Sequence, residues 1–180
     1  MKYGRLVVHG DVGQAFMYAA KGGDVYVLGN AAGRPLINAV GRPRVVINGT
    51  CLEYLAESFM AGDPYNGGGF VIVNGLKSTY DGRFVEQDYP YPGSNLFSLA
   101  SGGAIFIRDP HQKVSIDQLN GGRLTELTAK DWELMTPLLK ENERQFGISM
   151  VNDLLTVEDR LLQPSEVYRK IEPIPLEELA

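Results

Sequence analysis

The stretch Arg5–Asp11, RLVVHGD, decides how the chain reads, because the chain repeats it. It returns as Asp24–Asn30 (DVYVLGN), as Arg44–Thr50 (RVVINGT) and as Phe70–Leu76 (FVIVNGL). A degraded fifth copy is Gly103–Asp109 (GAIFIRD). Each copy is a short aliphatic run closed by a polar turn. Four copies carry a closing glycine, at Gly10, Gly29, Gly49 and Gly75, with spacings of 19, 20 and 26 residues. A period near twenty points to stacked structural repeats.

Registered on that glycine, or on Asp109 in the fifth copy, the columns are uniform. Two residues back stand Val8, Val27, Ile47, Val73 and Ile107; four back stand Leu6, Val25, Val45, Val71 and Ile105. All ten are aliphatic and lie two apart, so one face of each strand is apolar. The column between them, Val7, Tyr26, Val46, Ile72 and Phe106, is apolar as well but bulkier. Strands apolar on both faces are usually covered on both sides, as parallel strands are.

The connectors QAFMYAA (14–20), RPLINAV (34–40), LEYLAESFMA (52–61) and NLFSLAS (95–101) are short for crossover helices, and the second holds a proline. The economical reading is a winding of strand, glycine corner, second short strand, glycine corner. Gly22, Gly23, Gly41, Gly62, Gly67–Gly69, Gly102 and Gly103 supply the second set of corners. The expectation is an all-β fold: a right-handed, single-stranded parallel β-helix over residues 1–127, then C-terminal helices and an extended tail over 128–180. Asn30, Asn48 and Asn74 read as turn residues, since asparagine tolerates the left-handed region. Two insertions break the period, at 63–68 and 76–94. The second carries Tyr80, Phe84, Tyr89 and Tyr91 and reads either as a docking loop or as an excursion packing its own aromatics.

After Pro110 the pattern changes. Val114–Leu127 reads as a last winding. A helix is expected from Lys130 to Phe146, with Thr128 as N-cap, Asp131 completing a near capping box, Pro137 inside and Gly147 as the stop. Part of Ser149–Leu162 reads as a second helix ended by Gln163–Pro164. Tyr168, Ile171 and Ile174 would anchor an extended tail, and the helices would cap the open end of the stack.

A chain of 180 residues with 44% hydrophobic and 22% charged residues reads as soluble and globular. Its net charge of −5, with no basic stripe visible along the sequence, disfavours a nucleic-acid partner. No apolar run approaches the ~20 residues of a membrane helix. The single cysteine, Cys51, excludes an internal disulfide and suits a reducing cytoplasm; it reads as a buried thiol.

Chemical motifs are sparse. LGNAAGRP holds Gly29 and Gly33 only, short of a dinucleotide fingerprint, and VNGLKSTY lacks the Gly-Lys pair of a phosphate loop. His9 and His111 fall at corresponding strand ends of the first and fifth copies and read as turn residues. Asp81, Glu86 and Asp88 could mimic the carboxylates of a carbohydrate-cleaving enzyme, although Arg83 between them suits a solvated loop.

The order of motifs carries a resemblance. GDVGQAFMYAAKGGDVYVLGNAAGRPLINAVG (10–41), CLEYLAESFMAG (51–62) and SGGAIFIRD (101–109) resemble the glycine-repeat (GXGXG) C-terminal domain of the glutamate synthase large subunit. LTAKDWELMTPLLKENERQFG (127–147), VNDLL (151–155) and EVYRKIEP (166–173) are similar to the helix and tail downstream of that domain in the same subunit. The resemblance implies a structural spacer in glutamate biosynthesis, packed between the glutamine amidotransferase and FMN-binding synthase parts. The flavin and iron–sulfur cluster would sit on partner chains, and this chain would hold no catalytic, cofactor or metal residue. It leaves Gly10, Gly22, Gly23, Gly29, Gly41, Gly49, Gly62, Gly75, Gly102 and Gly103 with an architectural role. The two insertions and the ENERQFGIS stretch depart from the family pattern. With Met1 just before the first copy, the chain looks like a free-standing subunit or an excised piece. The formylmethanofuran dehydrogenase C subunit carries a similar repeat and is the rival scaffold. An independent β-helix enzyme and a module that self-associates through its bare ends are the other readings.

Overall fold

The computed structural model describes residues 1–178; the last two residues of the expected tail lie outside the described residues. The five repeat copies become β1 (Arg5–Val8), β2 (Gly22–Val27), β3 (Arg42–Ile47), β4 (Phe70–Val73) and, after the hairpin β5 (Leu76–Ser78) and β6 (Phe84–Glu86), β7 (Ile105–Arg108). They lie side by side in parallel, in the order β1-β2-β3-β4-β7. The register aligns Leu6, Val25, Val45, Val71 and Ile105, and beside them Val8, Val27, Ile47, Val73 and Ile107. From Val25 to Ile107 these side chains are fully buried in one core.

The connectors that close each winding are neither strands nor helices. They alternate through the left-handed region: Ala15, Met17 and Ala19 have φ of 56°, 61° and 50°, and Arg34, Leu36 and Asn38, then Tyr54, Ala56 and Ser58, then Asn95, Phe97 and Leu99 repeat the pattern. A left-handed residue with a Cβ costs about 1–2 kcal/mol, so something must offset each one. Stacked hydrogen bonds do so: the amides of Ala15, Arg34 and Tyr54 donate to the carbonyls of Gly33, Glu53 and Ser94 at 3.0, 2.8 and 2.9 Å. Ala19, Asn38 and Ser58 do the same to Ile37, Glu57 and Ser98 at 2.9, 2.9 and 2.8 Å. Buried backbone groups are thereby paired from winding to winding without a second strand.

The expectation of an all-β, single-stranded parallel β-helix is therefore corrected. The second strand of each winding is absent, parallel contact there being reduced to isolated bridges such as Val12–Ala31 and Val40–Met60. The main sheet is mixed, with seven strands: β11 (Tyr168–Pro173) lies antiparallel on β7, and β8 (Gly122–Glu126) lies antiparallel on β11. Val114–Leu127 does wind on: Leu119 bridges Leu96 in parallel and β8 runs in the same direction as β7, but β11 is inserted between the two strands. An 18-residue helix, α1 (Ala129–Phe146), covers the sheet's outer face. The expectation that helices cap the stack end is also corrected, since β11 covers β7 and the helix covers a face.

Helix α1 starts where local chemistry dictates. The Thr128 hydroxyl accepts from the Asp131 amide at 3.2 Å, and the Asp131 carboxylate accepts from the Thr128 amide at 2.9 Å. It stops at Gly147, whose φ of 74° suits a residue without a Cβ. Pro137 sits on the exposed side. Met135, Leu138 and Leu139 pack with Tyr26, Val46, Ile72 and Phe106, so the second apolar column is buried by the helix. The helix expected for part of Ser149–Leu162 is a short one. A π-helical turn (Met150–Leu155) capped by Ser149 leads into a small hairpin, β9 (Thr156–Val157) and β10 (Arg160–Leu161), and a four-residue helix, α2 (Pro164–Val167). Among the described residues no helix is long and apolar enough to cross a membrane.

Candidate functional site

Two of the candidate residues, Glu86 and His111, meet at the root of the β5–β6 hairpin. Glu86 ends β6 and meets Arg108, which ends β7, at 2.8 Å. His111 approaches the other carboxylate oxygen at 3.0 Å. The Arg108 side chain is 2% exposed and its Nε donates to the Leu154 carbonyl at 2.8 Å. Asp109 beside it accepts from the amides of Lys113 and Val114 at 2.7 and 2.9 Å and from Arg169 Nη1 at 3.0 Å. One node therefore ties the hairpin, β7, the turn at 109–114, the π-helical turn and β11 together.

Burial is the largest influence on Glu86 and opposes its charge, but Arg108 and His111 outweigh it and hold the carboxyl below its usual range. A carboxylate held ionised beside a buried guanidinium braces structure and is a poor proton donor near neutrality. A carboxyl whose value is lowered by folding contributes stability that is present above its unfolded-state value and lost as pH falls through the folded value. Glu86→Gln is accordingly expected to destabilise the chain at neutral pH and to flatten the acid-side decline. Urea midpoints of wild type and variant should converge on acidification; midpoints that stay parallel remove Glu86 from that role.

The three candidate carboxylates do not assemble. Asp81 sits at the exposed hairpin tip, bonded to Thr79 and, at 2.7 Å, to Arg83, and those bonds lower its value. The backbone carbonyl of Asp88 accepts from Lys113 Nζ at 2.8 Å. His9 packs edge-on against Phe146 at 5.2 Å, so the two histidines do not form a pair. Cys51 is buried, and burial pushes its thiol far above the range of a reactive nucleophile. Among the described residues no three His, Cys, Asp or Glu side chains gather as metal ligands. The aromatic loop packs only in part on the body of the protein. Tyr91 returns to the core and donates to the Ser94 carbonyl at 2.9 Å, while Tyr80 and Tyr89 face solvent.

The glycines fall into two groups. Gly23, Gly41, Gly62, Gly75 and Gly103 have positive φ, whereas Gly10, Gly22, Gly29, Gly49 and Gly102 do not. In the second group close approach can decide. A Cβ on Gly49 would lie 2.7 Å from the Gly29 oxygen, and one on Gly29 would lie 2.9 Å from the Asp11 nitrogen. Glycine stands there because the neighbouring winding's backbone occupies the space.

Three arrangements were not foreseen in the sequence. Asn48 and Asn74 do not adopt positive φ; they form a buried ladder. Asn74 Nδ2 donates to Asn48 Oδ1, Asn48 and Asn142 exchange reciprocal amide bonds, and Tyr168 Oη donates to Asn74 Oδ1, each at 2.8 Å. The first insertion serves as a brace. Tyr65 Oη donates to Asp131 at 2.6 Å, and Lys170 Nζ reaches the same carboxylate at 3.1 Å. Burial opposes the Asp131 charge, but Tyr65, Thr128 and Lys170 hold it below the usual range. Finally, Lys2, Lys21, Arg42 and Arg44 line a cleft of about 510 Å³, with Asp24 held by Arg44 through two bonds at 2.7 and 2.9 Å. These cations come from successive windings, so no run of them is visible in the linear sequence.

No family model, curated protein or solved structure matches the chain.

Proposed function

We propose that the chain is a non-catalytic structural subunit or domain of a glutamate synthase or a related amidotransferase–oxidoreductase assembly. In this reading it is a spacer between glutaminase and flavin synthase parts in glutamate biosynthesis and nitrogen assimilation. The observation that supports it best is how the repeat glycines are used. Gly29, which lies in a segment that carries the resemblance, and the repeat glycine Gly49 are consumed by close stacking of one winding on the next. A residue type whose role is to let backbones approach leaves its motif architectural. The ion node of Glu86, Arg108 and His111 serves the same end, joining segments distant in sequence. The FMN and iron–sulfur cluster of such an assembly belong to its other chains.

Co-expression with a glutamine amidotransferase chain and an FMN-binding synthase chain tests the reading. The three are expected to elute as one species in size-exclusion chromatography, with glutamine-dependent glutamate formation higher than when this chain is left out. Separate elution together with unchanged glutamate formation would overturn it.

A further inference from the structure

The two ends of the parallel stack differ. On β7 the chain lays its own β11, placing Ile171 opposite Ile105 in the core column. On the far side of β1, among the described residues, no strand is paired. The carbonyls of Gly4 and Val8 accept from the amides of Asp24 and Leu28, both at 2.9 Å. Backbone groups alternate in direction along a strand, so those of Arg5, Val7 and His9 face away from β2. They form a row of free donors and acceptors of the kind that recruits another strand.

The core also ends uncovered there. Leu6 is 37% exposed, whereas its column partners Val25, Val45, Val71 and Ile105 are at 0%. Val8, Val12, Phe16 and Met17 are only partly buried at the same end. The entry corner of this edge is basic. Lys2, Tyr3 and Gly4 belong to the cleft that also holds Lys21, Arg42 and Arg44, and its one carboxylate among the described residues, Asp24, is already engaged by Arg44. In a chain of net charge −5 this is a local reversal of sign.

We infer that the free edge of β1 is a docking edge for an extended acidic segment of a partner protein, which adds to the sheet as one more strand. Its aliphatic side chains would extend the columns beyond Leu6 and Val8, and its carboxylates would meet the basic corner. Main-chain hydrogen bonds supply affinity in such strand addition, and the alternate side chains and charges supply specificity. The chain's own treatment of β7 shows that an antiparallel addition fits the same sheet. The inference goes beyond the assembly proposed above and holds for whichever complex the chain serves.

The probe is a fluorescein-labelled peptide, EEGDVYVLGN, which is residues 21–30 with glutamate at the first two positions. It is titrated into the full chain by fluorescence anisotropy, with amide exchange followed at Val7 and His9. Saturable binding that slows exchange at both amides is expected. Val7→Pro, which removes an outward N–H on an edge where proline is tolerated, should weaken binding at least tenfold. Leu6→Lys, which keeps the N–H and points a charge into the added strand's apolar face, should do likewise. Lys21→Glu with Arg42→Glu should weaken it further in low salt than in high salt. Absence of binding to the wild-type chain, or equal binding by Val7→Pro and Leu6→Lys, overturns the inference. Concentration-dependent dimerisation of the peptide-free chain that Val7→Pro abolishes also overturns it, in favour of a second copy on this edge.

Discussion

Gly49→Ala is expected to lower the stability of the chain by about 3 kcal/mol, at the upper end of what overpacking costs. The added methyl would sit 2.7 Å from the Gly29 oxygen and 2.8 Å from its carbonyl carbon. Neither atom can retreat. The Gly49 amide donates to that oxygen at 3.0 Å, and the Gly29 amide is fastened to Gly10 at 3.0 Å. Gly49 does not have a positive φ, so the penalty comes from contact and not from backbone strain. Gly10→Ala is the control, because a Cβ there meets nothing within 4 Å. Its stability should stay within about 0.5 kcal/mol of wild type. Equal urea midpoints for the two variants would show that the windings do not approach closely.

Asn48→Leu is expected to cost about 4 kcal/mol, the sum of two stranded amides. The substitution is nearly isosteric, so little of this comes from packing. It strands the Asn74 amide, which loses Asn48 Oδ1, and the Asn142 amide, which loses both of its bonds to Asn48. Each buried polar group left unpaired costs about 1–3 kcal/mol. The measurement is a double-mutant cycle with Asn142→Leu, read from denaturation midpoints. Replacing both partners should cost clearly less than the sum of the single replacements, because an apolar pair leaves no orphan between them. Additive costs would show that the two amides are not coupled.

What was legible in the sequence was local or strictly periodic. The start of α1 at Thr128 and its stop at Gly147 rest on residues three apart and on one left-handed glycine, and both read directly. The strand columns read because a two-residue alternation fixes which side chains face the core, and repetition fixes the register. The connectors did not read. Ala19 and Leu36 carry no sign of a left-handed backbone, and their hydrogen bonds to neighbouring windings hold them there. The fold class failed with them, since the second strand was inferred from those segments. The place of β11 was equally hidden, because strand pairing is a relation between Ile171 and Ile105 and not a property of either. The same holds for the site. Glu86 and His111 were each visible, but 25 residues separate them. The asparagine ladder joins residues 94 apart in sequence.

The position of β11 has a consequence for how the molecule is made. It lies between β7 and β8, yet both are synthesised before it. From Glu126, the end of β8, to Pro173, the end of β11, the ribosome must add 47 residues. At about 5–20 residues per second this takes about 2–9 s. Throughout that interval a nascent chain holds β7 and β8 without the strand that pairs with both. A strand that emerges after both of its neighbours locks them in place, so this sheet is completed from its interior.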